Sequence, residues 1–111
     1  MANLPKTNTN SRPYQALSIV AAGTLVLPPN VATFLLTSSG AVAGQTIDLP
    51  WNTLDGDEIY IVSQYAVSGV TVAVQSGSGQ TIAAGPGAVT ALTAGVQVGY
   101  LKSGNTWYRV Q

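Results

Sequence analysis

The segment Asp55-Gly56-Asp57-Glu58-Ile59-Tyr60-Ile61-Val62-Ser63-Gln64 sets the rhythm of the whole chain. An Asp-Gly pair supplies a turn. Behind it, Ile59 and Ile61 point one way and Tyr60 and Val62 the other, the period-two alternation of a strand. The same grammar holds on either side. Val70, Val72 and Val74 share a face opposite Thr71, Ala73 and Gln75, and Val96 and Val98 alternate with Gln97 and Gly99. Short Val-, Ile- and Thr-rich runs predict strands at Leu17–Ala21, Thr24–Leu27, Ala32–Thr37, Thr46–Leu49, Glu58–Gln64, Val70–Gln75, Thr81–Ala83, Ala88–Leu92, Gln97–Lys102 and Thr106–Val110. Between them lie Pro28-Pro29-Asn30, Ser38-Ser39-Gly40, Ser76-Gly77-Ser78-Gly79, Gly85-Pro86-Gly87, Ala94-Gly95 and Ser103-Gly104-Asn105. No stretch combines helical spacing with caps at both ends. The expectation is an all-β domain with a branched aliphatic core face. The opposite face carries small and hydroxyl side chains with an occasional aromatic, and is either wet or packed against a twin subunit. Ala21-Ala22-Gly23 precedes one β run and Ala83-Ala84-Gly85 precedes another, an echo too short to establish a duplication.

At 111 residues the chain has the size of one domain. Hydrophobic residues make up 46% of it and charged residues only 7%, against about 25% in ordinary domains. Four basic and four acidic residues leave a formal net charge of zero. That excludes the basic patch that counterion release on nucleic acid requires, and the polybasic stretch that holds a protein to an anionic membrane. Without Cys there is no disulfide, zinc-thiolate site or thiol nucleophile. Without His the commonest general base and metal ligand is missing. Ser, Thr, Asn and Gln supply the polarity instead, giving a surface that repels itself weakly. Such a chain is expected to live in an assembly.

Residues 1–15 differ in composition from residues 16–111. They are rich in Asn, Thr, Pro and Lys, and read as an extended N-terminal arm ahead of one β domain. Leu4, Pro5, Lys6, Arg12, Pro13 and Tyr14 are its candidate partner-binding residues: apolar anchors plus two cations that steer it toward an acidic surface. Lys6 and Arg12 ahead of the apolar run Ala16–Leu27 imitate a secretory signal. Gly23-Thr24 and Pro28-Pro29 interrupt that run, however, and Ala41-Val42-Ala43 lies too far downstream for cleavage. No apolar run reaches the length of a membrane-spanning helix.

Few residues point to chemistry. Asp55-Gly56-Asp57-Glu58 is the one acidic cluster; it reads as a turn with charged residues guarding a strand, and it lacks the remaining oxygen ligands of a calcium loop. Asp48 with one of those carboxylates is the only pair available for glycoside hydrolysis, with no His to tune either group. Lys102 and Ser103 are adjacent in a strand and face opposite ways, which disfavours a Ser-Lys pair. Gly77-Ser78-Gly79 lacks the Lys and the helix of a phosphate loop. Trp51, Tyr60, Tyr65, Tyr100, Trp107 and Tyr108 either pack or form a sugar-stacking platform, with Trp51 after Pro50 the best candidate for an exposed contact. No cofactor or metal is expected, and the chain is not read as an enzyme.

Thr46-Ile47-Asp48-Leu49-Pro50, the Asp-Gly turn with Ile59-Tyr60-Ile61, Thr81-Ile82 after a Gly-rich turn, Ala94-Gly95 and the closing Trp107-Tyr108-Arg109-Val110 form one frame over residues 16–111. This frame resembles the small β domains of tailed-bacteriophage virion proteins: fibre heads, tail-fibre modules and capsid decoration (cement) proteins. The resemblance implies a homotrimer of β-sandwich or barrel-like subunits with no catalytic residues. A single such domain with an arm and no repetitive shaft matches a decoration protein. It would be made in the host cytoplasm, be located on the capsid surface, and partner itself and the major capsid protein. The alternative is a head-fibre or tail-fibre module that binds a receptor or glycan.

Overall fold

A computed structural model describes residues 14–29, 31–51, 55–83 and 88–111. Among them no residue is helical, and ten strands carry the structure. In chain order these are β1 (Tyr14–Ser18), β2 (Gly23–Val26), β3 (Thr33–Thr37), β4 (Val42–Leu49), β5 (Glu58–Ser63), β6 (Val67–Val74), β7 (Thr81–Ala83), β8 (Ala91–Leu92), β9 (Val98–Ser103) and β10 (Thr106–Arg109). The chain alternates between two sheets. A six-stranded sheet runs β1-β3-β5-β9-β10-β7, and a four-stranded sheet runs β2-β4-β6-β8. Along β1 to β6 every pairing is parallel, strand to next-but-one strand: Tyr14 lies opposite Thr33, Thr33 opposite Tyr60, Thr24 opposite Thr46, and Thr46 opposite Thr71. A parallel pair needs a long crossover, ordinarily a helix. Here the crossover is a strand of the other sheet, so β1 to β6 wind as stacked coils in the manner of a solenoid. The antiparallel pairs β6–β8, β5–β9 and β9–β10 then end the winding.

One backbone device turns each coil. Ala22, Gly44 and Gly69 all have positive φ (57°, 79° and 61°), the left-handed region that favours Gly. They stack on one another: a Cβ on Gly69 would lie 3.6 Å from the Gly44 Cα, and one on Gly44 would lie 3.5 Å from the Ala22 Cα. The left-handed residue also resets the alternation within β4. Val42 and Gln45 are both buried although an odd number of positions separates them.

The two sheets share one apolar cluster. Phe34, Leu36, Ile59, Ile61, Tyr100 and Trp107 come from the six-stranded sheet, and Ile47, Leu49, Val67, Val70 and Leu92 from the four-stranded one. Of the buried polar groups, the Trp107–Gln80 pair is satisfied, whereas Gln45 Oε1 has no hydrogen-bond partner among the described residues. The Trp107 indole N–H donates to Gln80 Oε1 (3.2 Å), and Gln80 Nε2 donates to the Trp51 carbonyl (2.9 Å). Ile59 and Ile61 face inward as their alternation predicts. Val96 does not share the face of Val98. It is 53% exposed, because Gly95 (φ 75°) reverses the chain and the Val96 N–H closes a turn onto the Thr93 carbonyl (3.0 Å). Tyr14 and Gln15, grouped with the arm on composition, are the first residues of β1, where parallel pairing with β3 orders them.

A candidate interaction face

Of the candidate arm residues, Leu4, Pro5, Lys6, Arg12 and Pro13 lie outside the described residues. Tyr14 starts β1 and is 68% exposed. The acidic cluster forms a turn. Asp55 Oδ1 accepts the Gly104 N–H (2.5 Å), the Gly56 N–H donates to the Lys102 carbonyl (2.7 Å), and the Lys102 N–H donates to the Asp57 carbonyl (2.8 Å). Those bonds tie the turn before β5 to the β9–β10 hairpin. Among the described residues no group of three or more His, Cys, Asp or Glu could hold a metal ion. Lys102 is buried while Ser103 is exposed, as adjacent strand positions require. The six aromatics do not make one platform. Trp107 and Tyr100 are core residues, Trp51 and Tyr65 are half-exposed in loops, and Tyr60 and Tyr108 lie on the outer face of the six-stranded sheet.

A cavity of about 210 Å³ lies between the sheets, lined by Val70, Val72, Ile82, Val89 and Tyr100 among others. Burial raises the Tyr100 phenol above its usual range near 10, and the positive charge of Arg109 partly offsets this. None of the described residues that line the cavity is charged, so they supply no acid–base pair.

The outer face of the six-stranded sheet is the feature that composition alone did not reveal. The strand register arranges it in rows. One row crosses Ala16, Leu35 and Val62. The next crosses Tyr14, Thr33, Tyr60 and Gly99, and Val110 continues it through its N–H bond to the Gly99 carbonyl (2.9 Å). A third crosses Glu58, Leu101, Tyr108 and Ala83. Hydroxyl residues border these rows at both ends: Ser18 beside Thr37, and Ser103, Thr106 and Thr81 in line. The Thr81 and Thr106 hydroxyls lie 3.2 Å apart. An apolar centre inside a polar rim is the anatomy of a protein–protein contact surface. Glu58 is the one charged residue in the rows, and its Oε1 accepts the Tyr60 hydroxyl (2.5 Å). One edge of the Tyr60 ring covers Gly99, so close that a Cβ there would sit 2.6 Å from Tyr60 Cε1. Gly99 thereby makes room for an aromatic within the sheet surface.

The outer face of the four-stranded sheet is different in kind. Thr24, Thr46 and Thr71 stack across three strands, followed by Val26, Asp48 and Ala73. These threonines stand two positions after Ala22, Gly44 and Gly69. The recurring pattern is therefore a left-handed residue, any residue, Thr, then Leu, Ile or Val. It marks each coil, and a search for small-x-Thr-aliphatic repeats is the signal that finds it. No protein-family model matches the chain, and no curated protein or solved structure shows significant similarity to it.

Proposed function

We propose that this chain is a structural virion protein of the capsid decoration or cement type, which binds and stabilises a phage head and catalyses no reaction. The observation that carries the assembly part of this reading is the apolar, hydroxyl-rimmed face on a chain with so few charges. An apolar patch of a few hundred Å² is often a functional contact site. The phage setting rests on the sequence frame set out above. The proposed particle is a homotrimer of sandwich- or barrel-like subunits located on the capsid surface. Its N-terminal arm, with Leu4, Pro5, Lys6, Arg12, Pro13 and Tyr14, reaches the major capsid protein. Each arm binds weakly because ordering it costs free energy, and three arms on one trimer gain through effective concentration.

Cosedimentation of the purified protein with undecorated capsids tests this reading. Saturable binding is expected, and deletion of residues 2–13 should abolish it while leaving the β domain folded. Absence of binding to any capsid would overturn the reading. Half-exposed Trp51 and Tyr65 favour one second reading, a head-fibre or tail-fibre module that stacks a glycan on an aromatic. A glycan screen with Trp51→Ala as the control separates the two.

A further inference from the structure

The geometry points to a second copy of this chain as the occupant of the outer face of the six-stranded sheet, sheet against sheet. This inference rests on the assembly reading above and names the surface through which copies meet. Three observations select a like copy over a partner of another kind. First, among the described residues the face offers little charge for a partner to complement: Glu58 is the one charged residue in its rows, and its Oε1 already accepts the Tyr60 hydroxyl. A chain of zero net charge approaches its own kind with little repulsion, and a contact that keeps Glu58 at its edge leaves that carboxylate in water. Second, the area suffices. Strands about 4.8 Å apart and rows about 6.8 Å apart give the three rows, Thr33 and Glu58 included, a projected footprint of about 400 Å². The accessible area of a corrugated surface exceeds its projection, so two such faces bury on the order of 1,000 Å², the threshold for a specific contact. Third, the hydroxyl rows run along opposite ends of the patch, so a symmetry-related copy sets rim against rim and apolar rows against apolar rows. In a homotrimer, three such sheets enclose the threefold axis and the threonine-bearing sheets face outward.

Light scattering on gel-filtered protein tests this, with circular dichroism to verify folding. Tyr108→Lys alters an outward side chain that is 45% exposed, and Ala16→Lys does the same in another row. Val26→Lys, at a position 52% exposed on the other sheet, is the matched control. The expected result is a wild-type oligomer retained by Val26→Lys and weakened roughly 30-fold or more by Tyr108→Lys and by Ala16→Lys, each still folded. A wild-type monomer at all concentrations would overturn the inference, as would oligomers in the Tyr108→Lys and Ala16→Lys variants as tight as the wild type. The capsid assay fails separately. Oligomers that depend on this face but ignore capsids keep the inference and sink the decoration reading, while monomers that bind capsids do the reverse.

Discussion

Ala22 is the one described non-Gly residue with positive φ, at a corner where the next two coils use Gly44 and Gly69. An L-residue in that conformation costs about 1–2 kcal/mol, so Ala22→Gly should stabilise the fold by up to about 1 kcal/mol after the added chain entropy of Gly. Gly44→Ala should destabilise it by about 1–2 kcal/mol through the same strain. Urea midpoints check both; a loss of stability in Ala22→Gly would contradict the stacked-corner account. Gln80 joins two tryptophans, and Gln80→Ala strands the Trp107 indole N–H and releases the Trp51 carbonyl. The expected cost is about 1–3 kcal/mol, read by denaturation followed through tryptophan fluorescence. Tyr100 gives a pH signature. Its folded pKa is raised above the unfolded value near 10, so the native state holds its proton longer than the unfolded chain does. Its contribution is therefore complete below about pH 10 and is lost as pH rises through the folded value. Phenolate absorbance should show a late-titrating step that Tyr100→Phe removes. A late phase left unchanged by Tyr100→Phe would contradict it.

Every strand expected from turn spacing has a counterpart among the ten observed, because Asp-Gly, Gly-Asn and Ala-Gly turns together with β-branched runs are local signals. The boundaries moved where pairing, not composition, governs. β1 begins at Tyr14 because β3 supplies its hydrogen bonds, and β8 shrinks to Ala91–Leu92, the two residues in register with Ser68 and Val67 of β6. What the residues could not tell is which strand joins which sheet. Alternation fixes a face but not a neighbour, so parallel coils and antiparallel hairpins read alike. The left-handed corners escaped for the same reason: Ala22 carries no mark of its conformation, and the repeated Thr two positions later gains meaning only from the stack. The β9–β10 hairpin yields a prediction at this scale. Its loop N–H at Gly104 is held by Asp55, so Asp55→Ala should loosen both the hairpin and the turn before β5. Hydrogen exchange should then speed up at Gly104 and Gly56 while β4 and β6 keep their protection; unchanged rates at both glycines would count against the tie.

On the scale of the molecule, the proposed contact surface was half legible. The shortage of charge pointed to assembly, and small or hydroxyl outward residues do describe the four-stranded sheet, with Thr24, Thr46 and Thr71. They do not describe the six-stranded sheet, whose rows gather Leu35, Val62, Leu101 and Tyr108 from distant parts of the chain. Each of these looks like an ordinary strand residue until the register places it beside the others. The account's central claim is that this sheet is covered by another copy and the threonine sheet is wet. Tyr108 and Tyr65 give a paired test, being 45% and 43% exposed in the single chain, with Tyr108 in the apolar rows and Tyr65 in a loop. Hydroxyl-radical footprinting of the intact native protein, read residue by residue, should find Tyr108 strongly protected and Tyr65 modified at the rate its exposure implies. Equal modification of the two tyrosines at every protein concentration tested would contradict this.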